Sequence, residues 1–300
     1  MTVSRAGDTG PSVGGALRQL VGSSRPVSWI NTAYPFAAAY LLSGGGLTAT
    51  FVVGTLWFLI PYNLLMYGVN DVFDFESDLR NPRKGGLEGV VLSRRWHRLT
   101  LWAAVVTNVP FVVLLVLWGD AVSTMTLAVI LFAVIAYSAP GLRFKERPVV
   151  DSITSSTHFV SPAVLGLALT DTPLTSPVLA GLGSFFVWGM ASHAFGAVQD
   201  IEADREAGIA SVATALGAAP TVRAAFLGYL VSGGLLLATG WPIVWAALLV
   251  LPYAASVAPF LRLSDRDCEQ ANAGWRRFIW LNFFTGFVLT QLFIWMSLAT

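Results

Sequence analysis

The sequence predicts an all-α integral membrane protein with nine transmembrane helices. Of the 300 residues, 55% are hydrophobic and 12% are charged, about half the charged share of a typical soluble domain. The mean hydropathy is +0.66. The apolar residues fall into nine stretches close to the roughly 20 residues that a helix needs to cross a bilayer. Together these observations exclude an ordinary soluble domain.

Turn residues and charged segments separate the predicted spans. The connections at 43–46, 118–120, 171–173 and 239–242 are short, contain Gly or Pro, and hold no Lys or Arg. Each segment between connections is apolar enough to be a membrane helix. The nine predicted spans are 28–46, 48–69, 98–118, 121–139, 153–170, 176–199, 221–239, 241–261 and 278–298.

The basic residues predict the orientation. All 18 Lys and Arg lie before the first span or in and beside the connections after spans two, four, six and eight. With nine spans these segments share one side, which the positive-inside rule assigns to the cytoplasm. We therefore expect a multi-pass protein of the cell membrane with a cytoplasmic N-terminus. Residues 1–27 lack the apolar core of a signal peptide and are predicted to be a flexible cytoplasmic arm before one domain at 28–300.

The acidic residues concentrate at the ends of two spans. The segments 70–78 and 200–206 hold eight of the 17 Asp and Glu residues. Carboxylates near a bilayer are costly unless they pair or bind cations, so such clusters indicate a functional site. On the predicted orientation, both clusters lie on the cytoplasmic face.

The spacing of these residues predicts convergent metal ligands. Asn70, Asp74 and Asp78 follow an i, i+4, i+8 pattern, which on a helix places them along one face. Asp71 stands beside that row and is a candidate catalytic residue together with Asp74. The second cluster repeats the i, i+4 interval, and its candidate catalytic residues and metal ligands are Asp200 and Asp204.

These candidate ligands are all oxygen atoms, without His or Cys. Such a set favours Mg²⁺ over zinc or a redox metal. Protein-bound Mg²⁺ usually completes its coordination with water and substrate phosphate oxygens, so a diphosphate is the expected substrate group. Basic side chains on the same face can stabilise negative charge on a departing phosphate. The candidates are Arg83, Lys84, Arg143, Lys145 and Arg205.

Three segments resemble a known family. The string N-D-V-F-D-F-E-S-D at 70–78 resembles the N-D-x-x-D-x-x-x-D signature of the UbiA superfamily of intramembrane prenyltransferases, and D-I-E-A-D at 200–204 resembles its D-x-x-x-D motif. The segment 137–145, Y-S-A-P-G-L-R-F-K, is similar to the basic loop of chlorophyll synthase-like members and adds Tyr137 to the diphosphate-binding candidates. Residues 81–86, N-P-R-K-G-G, depart from the Arg-Pro pattern of many members, which leaves Arg83 and Lys84 without a matching motif position.

The resemblance implies a central cavity with the two acid motifs facing each other across its cytoplasmic mouth. Two Mg²⁺ ions would bridge the motifs to an allylic diphosphate. Segments 24–33 and 147–162 look most like the lycopene elongase branch, which implies dimethylallyl diphosphate as donor and lycopene as acceptor in C50 carotenoid biosynthesis. In that branch the final cation adds water or loses a proton, and His158 or His193 is a candidate proton acceptor.

Several alternatives remain open. The same motifs fit an aromatic, quinone or chlorophyll-type prenyltransferase, and they fit an intramembrane terpene cyclase that uses no second substrate. A cation transporter would place its carboxylates near the bilayer midplane rather than at one face. The net charge of +1 says nothing about a nucleic-acid partner. No basic stripe interleaved with aromatic residues is present in the sequence, and no nucleic-acid partner is expected. The expected partners are the two substrates and membrane lipid.

Overall fold

The computed structural model describes residues 13–75, 79 and 91–299, and the described part is helical, without a β-strand. Short 3₁₀ turns join or extend several of the helices. The α-helices are α1 Val13–Ser23, α2 Ile30–Leu42, α3 Ala49–Leu59, α4 Pro61–Phe73, α5 His97–Trp118, α6 Ala121–Ser138, α7 Val150–Leu169, α8 Ser176–Val198, α9 Ile201–Ala207, α10 Val212–Leu216, α11 Ala218–Leu236, α12 Val250–Val257 and α13 Asn272–Ala299.

Seven segments of the described residues are long and apolar enough to cross a membrane. Two predicted spans are not among them. Span 28–46 coincides with α2, which has 13 residues, and span 153–170 coincides with α7, which buries polar side chains such as Asp151, Ser156 and His158. The all-α, multi-pass class is confirmed. The seven segments are Ala49–Phe73, Arg94–Trp118, Ala121–Ser138, Ser176–Val198, Ala218–Leu236, Ile243–Phe260 and Asp265–Ala299.

The second predicted span differs from a single straight helix. It breaks at Ile60, because Pro61 at the start of α4 has no N–H to continue the hydrogen bonding of α3. Helix α4 then ends at Phe73, so Asp74 lies just beyond the helix that carries Asn70. Asp74 caps the helix with its N–H on the carbonyl of Asn70 at 2.9 Å. Asp78 lies outside the described residues.

The predicted arm contains structure of its own. Within 1–27 the described part forms α1, which packs against α4, and a 3₁₀ turn begins at Pro26. Arg25 precedes that turn in the left-handed conformation, with φ of 52°. This backbone geometry directs the chain from α1 into α2 and places Arg25 beside α4.

Two hydrophobic cores hold the helices together. The first is built by α2 to α7 around fully buried rings such as Trp57, Phe58 and Tyr62. Here α2 and α7 approach closely at Gly166, where a Cβ atom would lie 2.9 Å from the carbonyl oxygen of Phe36. The second core lies among α8, α11, α12 and the 3₁₀ segment Asp265–Ala271. Each core carries one of the two acid motifs, α4 in the first and the α8–α9 junction in the second.

The last helix is the least enclosed. Of the 28 residues of α13, Gly274 and Leu292 are buried. Large apolar side chains such as Trp280 and Leu298 are 72% and 82% exposed. An apolar helix this exposed suits contact with lipid rather than water. Its inner face closes one side of a central cavity.

Candidate active site

A cavity of about 1740 Å³ runs through the bundle. Its wall follows α8 from Pro177 to Ala197 and α13 from Asn272 to Met296. At 1.5 Å per residue the α8 stretch alone is about 30 Å long, close to the thickness of the hydrocarbon layer of a bilayer. The acid motifs lie at one end of this cavity, and most of the remaining wall is apolar.

The first acid motif contributes Asn70 and Asp74 to the wall. The Oδ1 atom of Asn70 accepts hydrogen bonds from the Ser138 hydroxyl at 2.9 Å and from Lys145 Nζ at 3.4 Å. Asp71 lies behind the wall, fully buried, and accepts a hydrogen bond from Arg25 Nη2 at 3.2 Å. The first motif therefore has two faces, one towards the cavity and one towards a buried ion pair.

The loop after α6 supplies the positive charge at this end. Lys145 forms an ion pair with Asp74, and Arg143 Nη2 lies 3.7 Å from the same carboxylate while also pairing with Glu146. Burial lowers the pKa of Lys145 to about 8, although the charges of Glu146, Asp71 and Asp204 act in the opposite direction. Because Lys145 and acids of both motifs line the same cavity, the two motifs face the same place.

The second motif sits where the chain turns out of the bundle. Helix α8 ends at Val198, and α9 begins at Ile201, whose side chain is fully buried. Asp200 caps α9, and the N–H of Asp204 bonds to its carbonyl oxygen at 2.8 Å. This anchored turn presents four acids to the cavity: Asp200, Glu202, Asp204 and Glu206.

Other diphosphate-binding candidates have different positions. Tyr137 is in the cavity wall. Arg205 is held away from it, because Nη1 bonds to Asp265 Oδ2 at 2.6 Å and Nη2 to the carbonyl oxygen of Thr214 at 2.9 Å. Its role at the diphosphate remains a prediction. Arg83 and Lys84 lie outside the described residues.

The donor atoms at the cavity end suit Mg²⁺. Asn70, Asp74, Asp200 and Asp204 offer only oxygen atoms, and the ammonium of Lys145 on Asn70 and Asp74 marks the place as one that favours positive charge. Within the described chain no three His, Cys, Asp or Glu side chains form a closed metal site. Mg²⁺ in proteins is usually bound by few carboxylates and completed by water and substrate phosphates.

A buried polar chain connects α6, α7 and α8 and reaches the cavity wall at Tyr137 and His193. The buried Asp151 accepts from the N–H of Val212 at 2.7 Å, and its Oδ1 atom accepts from the Ser152 hydroxyl at 3.3 Å. Ser152 Oγ also lies 3.1 Å from His193 Nδ1, and His193 Nε2 lies 3.3 Å from the Tyr137 hydroxyl. The sequence places these polar residues in otherwise apolar spans, but helical periodicity alone does not predict which of them form hydrogen bonds with each other.

The sequence analysis also missed the pairing of Arg25. Besides its ion pair with Asp71, its guanidinium lies 4.2 Å from the centre of the Tyr67 ring, within cation–π range. The two charged residues are 46 positions apart, and no local pattern joins them. This contact ties the turn before α2 to the helix that carries the first motif.

Comparison with known proteins agrees with this geometry. The model of the UbiA prenyltransferase family matches residues 32–295. The C(50) β-cyclic carotenoids biosynthesis protein LbtBC of Dietzia sp. is 55% identical over 96% of this chain and 67% of its own length. The lycopene elongase/hydratase of Corynebacterium glutamicum is 50% identical over 93% of this chain and 97% of its own.

A solved structure shares the fold. A UbiA homologue from Archaeoglobus fulgidus bound to DMAPP and Mg²⁺ superimposes with a TM-score of 0.64, covering 90% of this chain and 99% of that chain. The two sequences are 19% identical. The likeness therefore concerns the arrangement of the helices.

Proposed function

This chain belongs to the UbiA prenyltransferase family and is an intramembrane prenyltransferase, and from that premise we propose that it transfers a dimethylallyl group from its diphosphate to a terminal double bond of lycopene. The family resemblance drawn from the motifs is confirmed. The substrates are inferred from the relatives, one named for C50 carotenoid biosynthesis and the other a lycopene elongase/hydratase. The observation that carries the proposal is one cavity with a charged end and a long apolar remainder.

The charged end suits the diphosphate. We propose that Asn70, Asp74, Asp200 and Asp204, with Asp78 from the same motif, hold two Mg²⁺ ions, which when bound neutralise the charge of the diphosphate. Lys145 and Arg143 add positive charge beside Asp74 and stabilise the pyrophosphate as it leaves. Asp71 acts indirectly, by fixing Arg25 in the cavity wall. Tyr137 completes this end from α6.

The remainder of the cavity suits a long apolar acceptor. It extends for about the thickness of the hydrocarbon layer. Among the described residues of its wall, the Lys and Arg side chains are Arg25 and Lys145, both at the charged end. An anionic aromatic acceptor would need a basic partner further in, whereas a linear polyene such as lycopene needs none. This favours lycopene over the aromatic and quinone-type acceptors.

The reaction follows from the two ends. The allylic carbon–oxygen bond breaks, and its electron pair leaves with pyrophosphate. The π electrons of the acceptor double bond then form the new carbon–carbon bond, which leaves a tertiary carbocation. Loss of a proton gives an alkene, and addition of water followed by loss of a proton gives an alcohol. Aromatic rings in the wall, such as Trp188 stacked on Phe278 at 5.5 Å, can stabilise the cationic stages.

We further propose the orientation of the molecule. Helices α2 and α7 would complete nine spanning units with the seven apolar segments, and the N-terminus would lie in the cytoplasm. The positive-inside rule supports this, since Arg143, Lys145 and Arg147 share one end of the bundle with the acid motifs. The donor diphosphate would then enter the site from the cytoplasm.

The test is expression in a host that makes lycopene, with mass analysis of the extracted carotenoids. We expect products heavier by one or two five-carbon units, and none from the Asp200→Ala variant. Parallel membranes without lycopene receive dimethylallyl diphosphate or a longer allylic diphosphate. A cyclised hydrocarbon formed there would support the terpene cyclase instead, and extension of an added aromatic acid in place of lycopene would support the aromatic prenyltransferase.

A further inference from the structure

His158 is a buried side chain in the cavity wall that the transfer step does not use. It is 3% exposed, and neither ring nitrogen has a hydrogen-bond partner. Its ring lies edge-on to Tyr137, with centroids 5.2 Å apart. Buried polar groups without partners are rare in folded proteins and commonly mark a site for water or for chemistry. The imidazole is therefore available to something that enters the cavity.

The backbone around His158 is held firmly. Pro162, four residues later in α7, has no N–H to donate to the His158 carbonyl oxygen. The Tyr62 hydroxyl takes that place, at 3.4 Å. A buried residue of the first core thus fixes the position of the unpartnered imidazole.

The neighbouring histidine is in a different state. Both nitrogens of His193 have partners, Nδ1 the Ser152 hydroxyl and Nε2 the Tyr137 hydroxyl. Ser152 in turn is tied to the buried Asp151. This chain orients Tyr137, against which His158 packs. Of these two histidines, His158 is the one with a nitrogen available to accept a proton, and His193 is a positioning residue.

The depth of His158 matches the second half of the reaction. It lies seven residues into the span from Asp151, and His193 lies seven residues before Asp200, a separation of about 10 Å along either helix. The polar group is therefore inward of the diphosphate, on the side where the acceptor carbon becomes positively charged. A water molecule placed here would meet the new cation rather than the donor.

We propose that His158 binds the water that quenches the tertiary carbocation and accepts its proton. The proposal rests on the proposed function. An oxygen lone pair of the water forms the carbon–oxygen bond, and one O–H proton passes to the ring nitrogen of a neutral imidazole. The product is a tertiary alcohol, and the proton afterwards leaves along the polar end of the cavity. Tyr137 donates or accepts a hydrogen bond to hold the water.

The experiment compares the ratio of hydroxylated to olefinic extended carotenoids in membranes of a lycopene-producing host, in the presence of oxygen-18 water. Wild type is expected to form a hydroxylated product that carries the label. His158→Leu keeps a similar volume, and it removes an unpartnered polar group and the edge-on ring contact with Tyr137, so total extension should persist. The ratio should fall by about a hundredfold, a typical contribution of a general base. Thr157→Val is the matched control. The Thr157 hydroxyl donates to the Ile153 carbonyl oxygen of its own helix, and this variant should leave the ratio unchanged.

A second variant guards against misfolding. His158→Gln retains a hydrogen-bonding group that cannot take a proton from water at neutral pH, and the same fall in ratio is expected. The assignment would be overturned if both variants kept the wild-type ratio, or if wild type formed only olefins. It would also be overturned if the variants lost both products equally, which would indicate a purely structural effect. Absence of any extended carotenoid from wild type would instead overturn the proposed function itself, and the assignment with it.

Discussion

Among the described residues, the two acid motifs have different neighbours around one cavity. At the first, basic residues from outside the helix accompany the acids: Arg25 pairs with Asp71, and Lys145 and Arg143 approach Asp74. At the second, four acids line the wall, and the arginine within the motif pairs with Asp265 outside the cavity. The comparison shows that similar Asp spacings lie in different surroundings. We infer that the two motifs also have different functions.

The difference suggests a division of labour. The second motif presents four carboxylates to the cavity and is suited to holding metal. The first motif shares its carboxylate with an ammonium group, so it is suited both to metal and to the departing pyrophosphate. Substitution of the proposed metal ligands should therefore abolish turnover. Substitution of the basic side chain beside the first motif should instead weaken donor binding.

The largest effect is expected at the carboxylates that both motifs share, which are the proposed metal ligands. Asp74→Ala and Asp200→Ala should each lower turnover by at least about a hundredfold, because even residues that only support metal ligands cost 10- to 100-fold. Asp267→Ala, an exposed acid that bonds to Ser264, is the matched control and should keep full turnover. Extension of lycopene in isolated membranes measures the effect, with and without a chelator of divalent metals. If Asp200→Ala retained turnover, the second motif would not hold a required metal ion.

The next effect concerns stability at the first motif alone. Arg25→Ala would leave Asp71 as a fully buried carboxylate without its guanidinium, a change that typically costs about 3–5 kcal/mol. Thermal unfolding in detergent should show a large drop, and the exposed Arg18→Ala should show little. Adding Asp71→Asn to Arg25→Ala should restore much of the loss. A double variant no better than the single would mean that Arg25 acts through Tyr67 instead.

Local spacing predicted which side chains meet at one cavity. Helical periodicity singled out Asn70, Asp74, Asp200 and Asp204, and all four line one cavity with Lys145. Such patterns work because an i, i+4 interval within one turn of chain fixes relative position without any knowledge of packing. The orientation and the nine-span count stay predictions, since hydropathy alone does not include the short α2 and the polar α7.

Contacts between distant segments could not be predicted from the sequence. The partner of Arg25 is 46 residues away and that of Arg205 is 60 residues away, and both depend on how the helices pack. The end of α4 at Phe73 was missed as well, because nothing in a run of alternating acids and aromatics marks a helix end. Long-range pairing is decided by tertiary structure, which overrides local propensity.

A smaller effect should appear in donor binding. Lys145→Ala removes a charge-assisted contact of a kind worth about 1.5–3 kcal/mol, so the KM for dimethylallyl diphosphate should rise roughly 10- to 100-fold. Lys145→Arg should recover part of it. Arg147→Ala in the same loop is the control, because Arg147 is on the exposed side and bonds to the Gly141 carbonyl. An unchanged KM in Lys145→Ala would remove this residue from the donor site.

The smallest effect is expected at Arg205, and it decides whether the two motifs differ in kind. Its ion pair with Asp265 is 44% and 38% exposed on the two sides, and such pairs contribute at most about 1 kcal/mol. Arg205→Ala should therefore lower thermal stability slightly and leave the donor KM within about twofold of wild type, in contrast to Lys145→Ala. Measuring both variants in one assay provides the comparison. A rise in KM equal to that of Lys145→Ala would mean that Arg205 leaves Asp265 for the diphosphate during turnover. Both motifs would then bring a basic side chain to the diphosphate.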